Sequence, residues 1–149
     1  MRIALFEPDI PQNAATLIRL CACLGVPIDI IEPCGFVFSD AGFRRAGLDY
    51  LERAEITRHD SWNTFLAQTN QRLVLLTTKA PLSYTAFKFD SNDTLLLGRE
   101  SAGVPEDVHA RADCALKIVL TPGLRSINVA LAGAMVLGEA LRQTKGFGE

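Results

Sequence analysis

Two runs of consecutive apolar residues constrain this chain more than any other feature. They are Leu73-Val74-Leu75-Leu76, within Arg72–Thr78, and Leu95-Leu96-Leu97, within Asp93–Gly98. A strand with one wet face alternates apolar and polar residues, so an unbroken run requires cover on both faces. That requirement is met in parallel sheets with helices on either side. Arg2–Glu7, Pro27–Glu32, Ala54–Arg58 and Cys114–Leu120 read as further strands. Between them, Gln12–Leu24 places Ala14, Leu17, Ile18, Cys21 and Leu24 on one helical stripe, and Gly25 ends it. Asp60 or Ser61 caps a helix through Gln68. Pro105 starts a short one through Ala112. Ser126 opens a last one, from Ile127 to about Thr144. Residues 33–50 read as irregular. Strand–helix alternation without repeat or linker predicts an α/β fold, a mostly parallel sheet flanked by helices, in a single domain over residues 1–149.

The charge balance is 15 Lys+Arg against 17 Asp+Glu, so no overall field attracts nucleic acid. Any such binding needs a local patch. Arg44, Arg45, Arg53 and Arg58, set against Asp49, Glu52 and Glu55, are either that patch or ordinary solvated charge. Cys21, Cys23, Cys34 and Cys114 form no C-x-x-C pair and predict small buried apolar side chains. With only His59 and His109 as histidines, no metal site is expected. The apolar run Val129–Gly138 is too short for a bilayer, which needs about 20 residues, so no membrane association is expected. Free thiols and the lack of a signal peptide predict a cytoplasmic protein. The last helix is apolar around nearly its whole circumference. Its second face needs either a homodimer partner or a central place within its own domain.

Three segments hold the candidate chemistry, each at a strand-to-helix junction. The first is Pro11-Gln12-Asn13, where Asn13 reads as a helix cap, leading to Arg19, which lies off the apolar stripe. The second is Gly98-Arg99-Glu100-Ser101-Ala102-Gly103-Val104-Pro105, a glycine loop after a buried strand, where parallel sheets bind ligands. It is neither a Walker A nor a G-x-G-x-x-G loop, and Ser101 stands in no nucleophile elbow. The third is Thr121 to Asn128, in which Ser126 reads as a helix cap and Asn128 follows in the first turn.

Together Asn13 with Arg19, Gly98–Gly103 and Arg125-Ser126-Ile127-Asn128 resemble the three motifs of the SPOUT class of RNA ribose 2′-O-methyltransferases, over essentially the whole chain. Ile30–Pro33, Arg44–Tyr50 and Thr57–His59 are similar to its short members, which methylate the wobble nucleotide of tRNA. The resemblance implies a C-terminal trefoil knot, an obligate homodimer and no additional RNA-binding domain. It implies transfer of a methyl from S-adenosyl-L-methionine (AdoMet), leaving S-adenosyl-L-homocysteine, to the ribose of cytidine or uridine 34 in a tRNA anticodon loop. Cofactor contacts are implied at Leu76, Thr77, Gly98, Glu100, Leu120, Ser126 and Leu131, and catalytic roles at Asn13, Arg19, Ser126 and Asn128. The chain departs from the family in three ways. Arg99 stands where many relatives have proline, Asn128-Val129-Ala130-Leu131 replaces a common N-L-S-N, and the Leu120–Ser126 loop is short. Arginine keeps its proton at neutral pH, so Arg19 is expected to clamp a phosphate or stabilise a developing alkoxide rather than act as base. The alternatives are a non-catalytic nucleotide-binding α/β regulator and a small hydrolase. The first does not require Arg19, Ser126 and Asn128 together, and the second lacks a nucleophile elbow.

Overall fold

A computed structural model describes residues 1–45 and 50–148, without the side chains of Asp40, Arg44 and Arg45. Among the described residues, seven strands form one parallel sheet. They are β1 (Arg2–Phe6), β2 (Ile28–Ile31), β3 (Ile56–His59), β4 (Leu73–Leu76), β5 (Leu82–Ser83), β6 (Thr94–Leu97) and β7 (Cys114–Lys117). The helices are α1 (Pro11–Leu24), α2 (Asp40–Arg45), α3 (Trp62–Gln68), α4 (Glu106–Arg111) and α5 (Val129–Thr144). The strand order is β3-β2-β1-β6-β4-β7-β5, so the chain builds outward from β1 on one side and then crosses to the other. The central strands β6 and β4 are the two continuous apolar runs, and both are covered on each face as their composition requires.

The two faces have separate cores. Ile3, Leu5, Ile30, Val74, Leu95 and Leu97 face α1 and α5, while Ala4, Phe6, Leu75 and Leu96 face Phe65 of α3 and Val108 of α4. On the α3 side one polar group interrupts the apolar packing. Buried Asp29 accepts hydrogen bonds from Arg2 Nε (2.8 Å) and Nη2 (3.1 Å) and lies 2.8 Å from His59 Nε2. The His59 ring stands edge-on to Phe65.

α5 lies close to its neighbours because Gly133 has no side chain. A Cβ there would sit 2.8 Å from Leu97 Cδ1 and 3.0 Å from Leu17 Cδ2. α5 buries Ala130, Gly133, Val136, Leu137, Ala140 and Leu141, and leaves Leu131 60% and Met135 45% exposed. The apolar circumference is therefore part core and part uncovered face.

Several expectations need correction. The stretch 33–50 contains helix α2, and the two-residue strand β5 pairs with β7. Asn13 does not cap α1: the cap position is Ile10, Pro11 occupies the first turn, and Asn13 is already inside the helix. Ser126 does not cap α5 either, because the helix begins at Val129 and Asn128 caps it. Cys23 is exposed, unlike buried Cys21.

Candidate active site

A cavity of about 550 Å³ lies beyond the carboxyl ends of the neighbouring strands β6, β4 and β7. This is where parallel α/β sheets present their loops to a ligand. Asn13, Leu76, Thr77, Gly98, Glu100, Leu120, Ser126 and Asn128 all line it. Residues from all three candidate segments therefore meet in one place.

The wall at β6 is a closed loop. Arg99 N–H donates to Gly103 O (2.9 Å) and Gly103 N–H donates back to Arg99 O (2.8 Å). Gly98 is required by this closure, since a Cβ on it would sit 2.8 Å from Gly103 C and 2.9 Å from Gly103 Cα. The close approach that demands glycine is thus to the loop's own backbone. Gly103 turns the loop with a φ of 63°.

Asp9, a residue that sequence reasoning missed, anchors this loop. Its N–H donates to Glu100 Oε2 (3.1 Å), Glu100 N–H donates to Asp9 Oδ1 (3.1 Å), and the Ser101 hydroxyl donates to Asp9 Oδ2. Arg99 adds cationic charge, with Nη1 3.5 Å from Glu7 Oε2 and Nε 4.0 Å from Asp9 Oδ2. The Glu100 hydrogen bond, with those from Ser101 and the backbone and the charge of Arg99, holds the Asp9 carboxyl down to about 2. Burial, helped by the carboxyl–carboxyl contact with Asp9, pushes Glu100 up. The signal for Asp9 was its place in the tight Glu7-Pro8-Asp9-Ile10-Pro11 turn directly after β1.

The third wall is tied to the first. Asn128 Oδ1 accepts from the N–H groups of Ala130 (2.8 Å) and Leu131 (3.2 Å), which fixes its amide so that Nδ2 donates to Asn13 Oδ1 (2.8 Å). One side chain therefore caps α5 and holds the start of α1 against it. The Asn13 amide nitrogen and the Ser126 hydroxyl take no partner among the described residues.

Two candidates lie outside the cavity. Leu131 is on the uncovered face of α5, and only its backbone is tied to the site. Arg19 is exposed on α1. It stands six residues beyond Asn13, which is about 9 Å along the helix and about 120° around it. Of the candidate basic patch, Arg58 is bonded to Glu32 (2.6 Å) and lies over the Phe38 ring, and Arg53 is exposed. The side chains of Arg44 and Arg45, with Asp49, lie outside the described residues, as does most of the Arg44–Tyr50 segment.

The profile of the SpoU rRNA Methylase family matches residues 1–138. This chain belongs to that family. A tRNA (cytidine(34)-2′-O)-methyltransferase of Beijerinckia indica is 60% identical over 95% of this chain and 90% of its own. A solved structure described as structural insights into the 2-OH methylation of C/U34 on tRNA superposes with a TM-score of 0.90. It is 38% identical and covers 97% of this chain and 96% of its own. An AdoMet bound rRNA methyltransferase from Sinorhizobium meliloti superposes with a TM-score of 0.83 at 25% identity, over 95% of this chain and 55% of its own. The fold of these two structures is thus shared over 95–97% of this chain.

Proposed function

We propose that this chain is an AdoMet-dependent tRNA 2′-O-methyltransferase acting on the ribose of nucleotide 34, cytidine or uridine. The observation that carries the reading is the convergence of all three candidate segments on one cavity in a chain with such relatives. The cavity suits AdoMet: about 550 Å³ falls in the range of small-molecule sites, with leucines for an adenine and loop backbone for its polar edges. Leu76, Thr77, Gly98, Glu100 and Leu120 would hold the cofactor, whose sulfonium supplies an electrophilic methyl. The open amide of Asn13 and the hydroxyl of Ser126 would orient the ribose, and most of the rate gain would come from that positioning. Asn128 keeps Asn13 in place. Arg19 would grip the adjacent phosphate, or the oxygen as it loses its proton.

Arg19 does not line its own chain's cavity, which supports a homodimer in which Arg19 of one subunit serves the cofactor loop of the other. The exposed Leu131 and Met135 offer apolar surface for that contact. The trefoil knot and a cytoplasmic location belong to the same reading. No helix among the described residues is long and apolar enough to cross a membrane. The test is a thermal-shift comparison. S-adenosyl-L-homocysteine raises Tm, whereas ATP and NAD leave it unchanged. Stabilisation by ATP or NAD alone would favour the nucleotide-binding regulator.

A further inference from the structure

Three arginines among the described residues lie over aromatic rings: Arg19 over Tyr50 at 4.6 Å, Arg58 over Phe38 at 4.6 Å and Arg72 over Phe87 at 5.0 Å. Two of them also have a carboxylate on the fork. Arg58 Nη2 is 2.6 Å from Glu32, and Arg72 binds Asp93 through Nε (2.6 Å) and Nη2 (2.7 Å). Arg19 differs, because its N–H groups take no hydrogen-bond or ion-pair partner among the described residues.

The geometry of the contact explains why that matters. All five guanidinium N–H groups point outward in the plane of the group. A ring stacked on the face therefore holds the charge without using any donor. A carboxylate would hold it too, but by occupying the edge that recognises phosphate bidentately.

The ring itself is held in place. Tyr50 precedes the 3-10 turn Leu51–Arg53, and its carbonyl accepts from Arg53 N–H (3.0 Å). Leu51 of that turn is buried in the core that includes Leu17, Ile18 and Cys21 of α1. Both partners of the stack are thus anchored by buried neighbours on the same core.

We infer that Tyr50 is a positioning residue for Arg19: its ring holds the guanidinium by the face and leaves the fork open for a backbone phosphate of the RNA. The inference rests on the proposed methyltransferase reading and names the residue that prepares Arg19 for its part in it.

The test uses full-length protein and a tRNA transcript with cytidine 34. Tyr50→Phe, Tyr50→Leu, Arg19→Ala and the Tyr50→Leu/Arg19→Ala pair are compared for turnover, equilibrium tRNA binding, S-adenosyl-L-homocysteine binding and Tm. Tyr50→Leu is expected to lower tRNA affinity and kcat/KM roughly two- to fivefold. Tyr50→Phe restores them, because the ring face returns. Affinity for S-adenosyl-L-homocysteine and Tm stay at wild-type values. In the Arg19→Ala background, Tyr50→Leu costs no further tRNA affinity. If Tyr50→Leu folds poorly, Tyr50→Gln against Tyr50→Phe supplies the same contrast. Wild-type behaviour of the ring-less variants would overturn the inference. So would an undiminished loss in the Arg19→Ala background, which would make Tyr50 a direct contact. Near-wild-type activity of Arg19→Ala would instead remove Arg19 from the site. An inactive Arg19→Ala beside an intact Tyr50→Leu would sink this inference alone.

Discussion

At the scale of single residues, the site is organised by short polar ties between segments far apart in sequence. Asn128 and Asn13 are joined by one bond of 2.8 Å. Asn128→Ala should remove both the cap on α5 and the hold on Asn13. We expect a stability loss of about 1 kcal/mol by denaturant titration, with a much larger fall in turnover. Asp9 makes a pH prediction. Its carboxyl is held down to about 2 in the folded chain, so the unfolded chain binds more protons between that value and the ordinary carboxylate range. Its contribution to stability is therefore complete above that range and lost as pH falls toward 2. Raised Glu100 acts in the opposite sense, favouring the folded chain at lower pH and losing that contribution as pH rises through its raised value. Asp9→Asn should flatten the acid side of the stability profile, measured by urea midpoints across pH. An unchanged acid limb would show that Asp9 is not tied as described. Away from the site, Asp29→Ala leaves buried His59 and partly buried Arg2 without their shared partner. It should cost about 3–5 kcal/mol while leaving cofactor affinity intact in protein that remains folded.

At the scale of elements, glycines set how closely the pieces approach. Gly98→Val would drive a side chain into the backbone of Gly103, so the β6 loop must open. Affinity for S-adenosyl-L-homocysteine should fall at least tenfold by calorimetry, with a stability loss of about 1–3 kcal/mol. Unchanged affinity would place the cofactor elsewhere. Much of this level was readable from sequence. The apolar runs around Leu75 and Leu96 announced buried parallel strands, and the stripe Ala14-Leu17-Ile18-Cys21 announced α1. Other features were not readable, for physical reasons. Strand β5 has two residues and no period to detect. Asn13 and Ser126 have cap chemistry, but Pro11 started α1 earlier and Asn128 won the cap of α5. The Asp9–Glu100 tie spans 91 positions, and no local pattern reveals such a pair. The three motifs nevertheless carried ten of the 23 residues that line the cavity, because strand ends of a parallel sheet converge on one edge.

At the scale of the whole molecule, two claims can be separated: a shared site and the reaction itself. Arg19 is exposed and does not line its own chain's cavity, whereas Ser126 does. In the proposed homodimer, Arg19→Ala and Ser126→Ala should each be inactive when paired with themselves. After unfolding and refolding an equal mixture, about half the dimers are mixed, and each has one intact site if sites are shared. Activity should recover to roughly a quarter of wild type. A dead mixture with mixed dimers confirmed by mass would place each site within one chain.

The reaction is tested most directly on the acceptor oxygen. Two tRNAs identical except at nucleotide 34, one with ribose and one with 2′-deoxyribose, are incubated with the protein and methyl-labelled AdoMet. The predicted result is label on the ribose substrate, recovered after nuclease digestion as a 2′-O-methylated nucleoside, and none on the deoxy substrate. Methylation of the deoxy substrate, or label recovered on a base, would contradict the account.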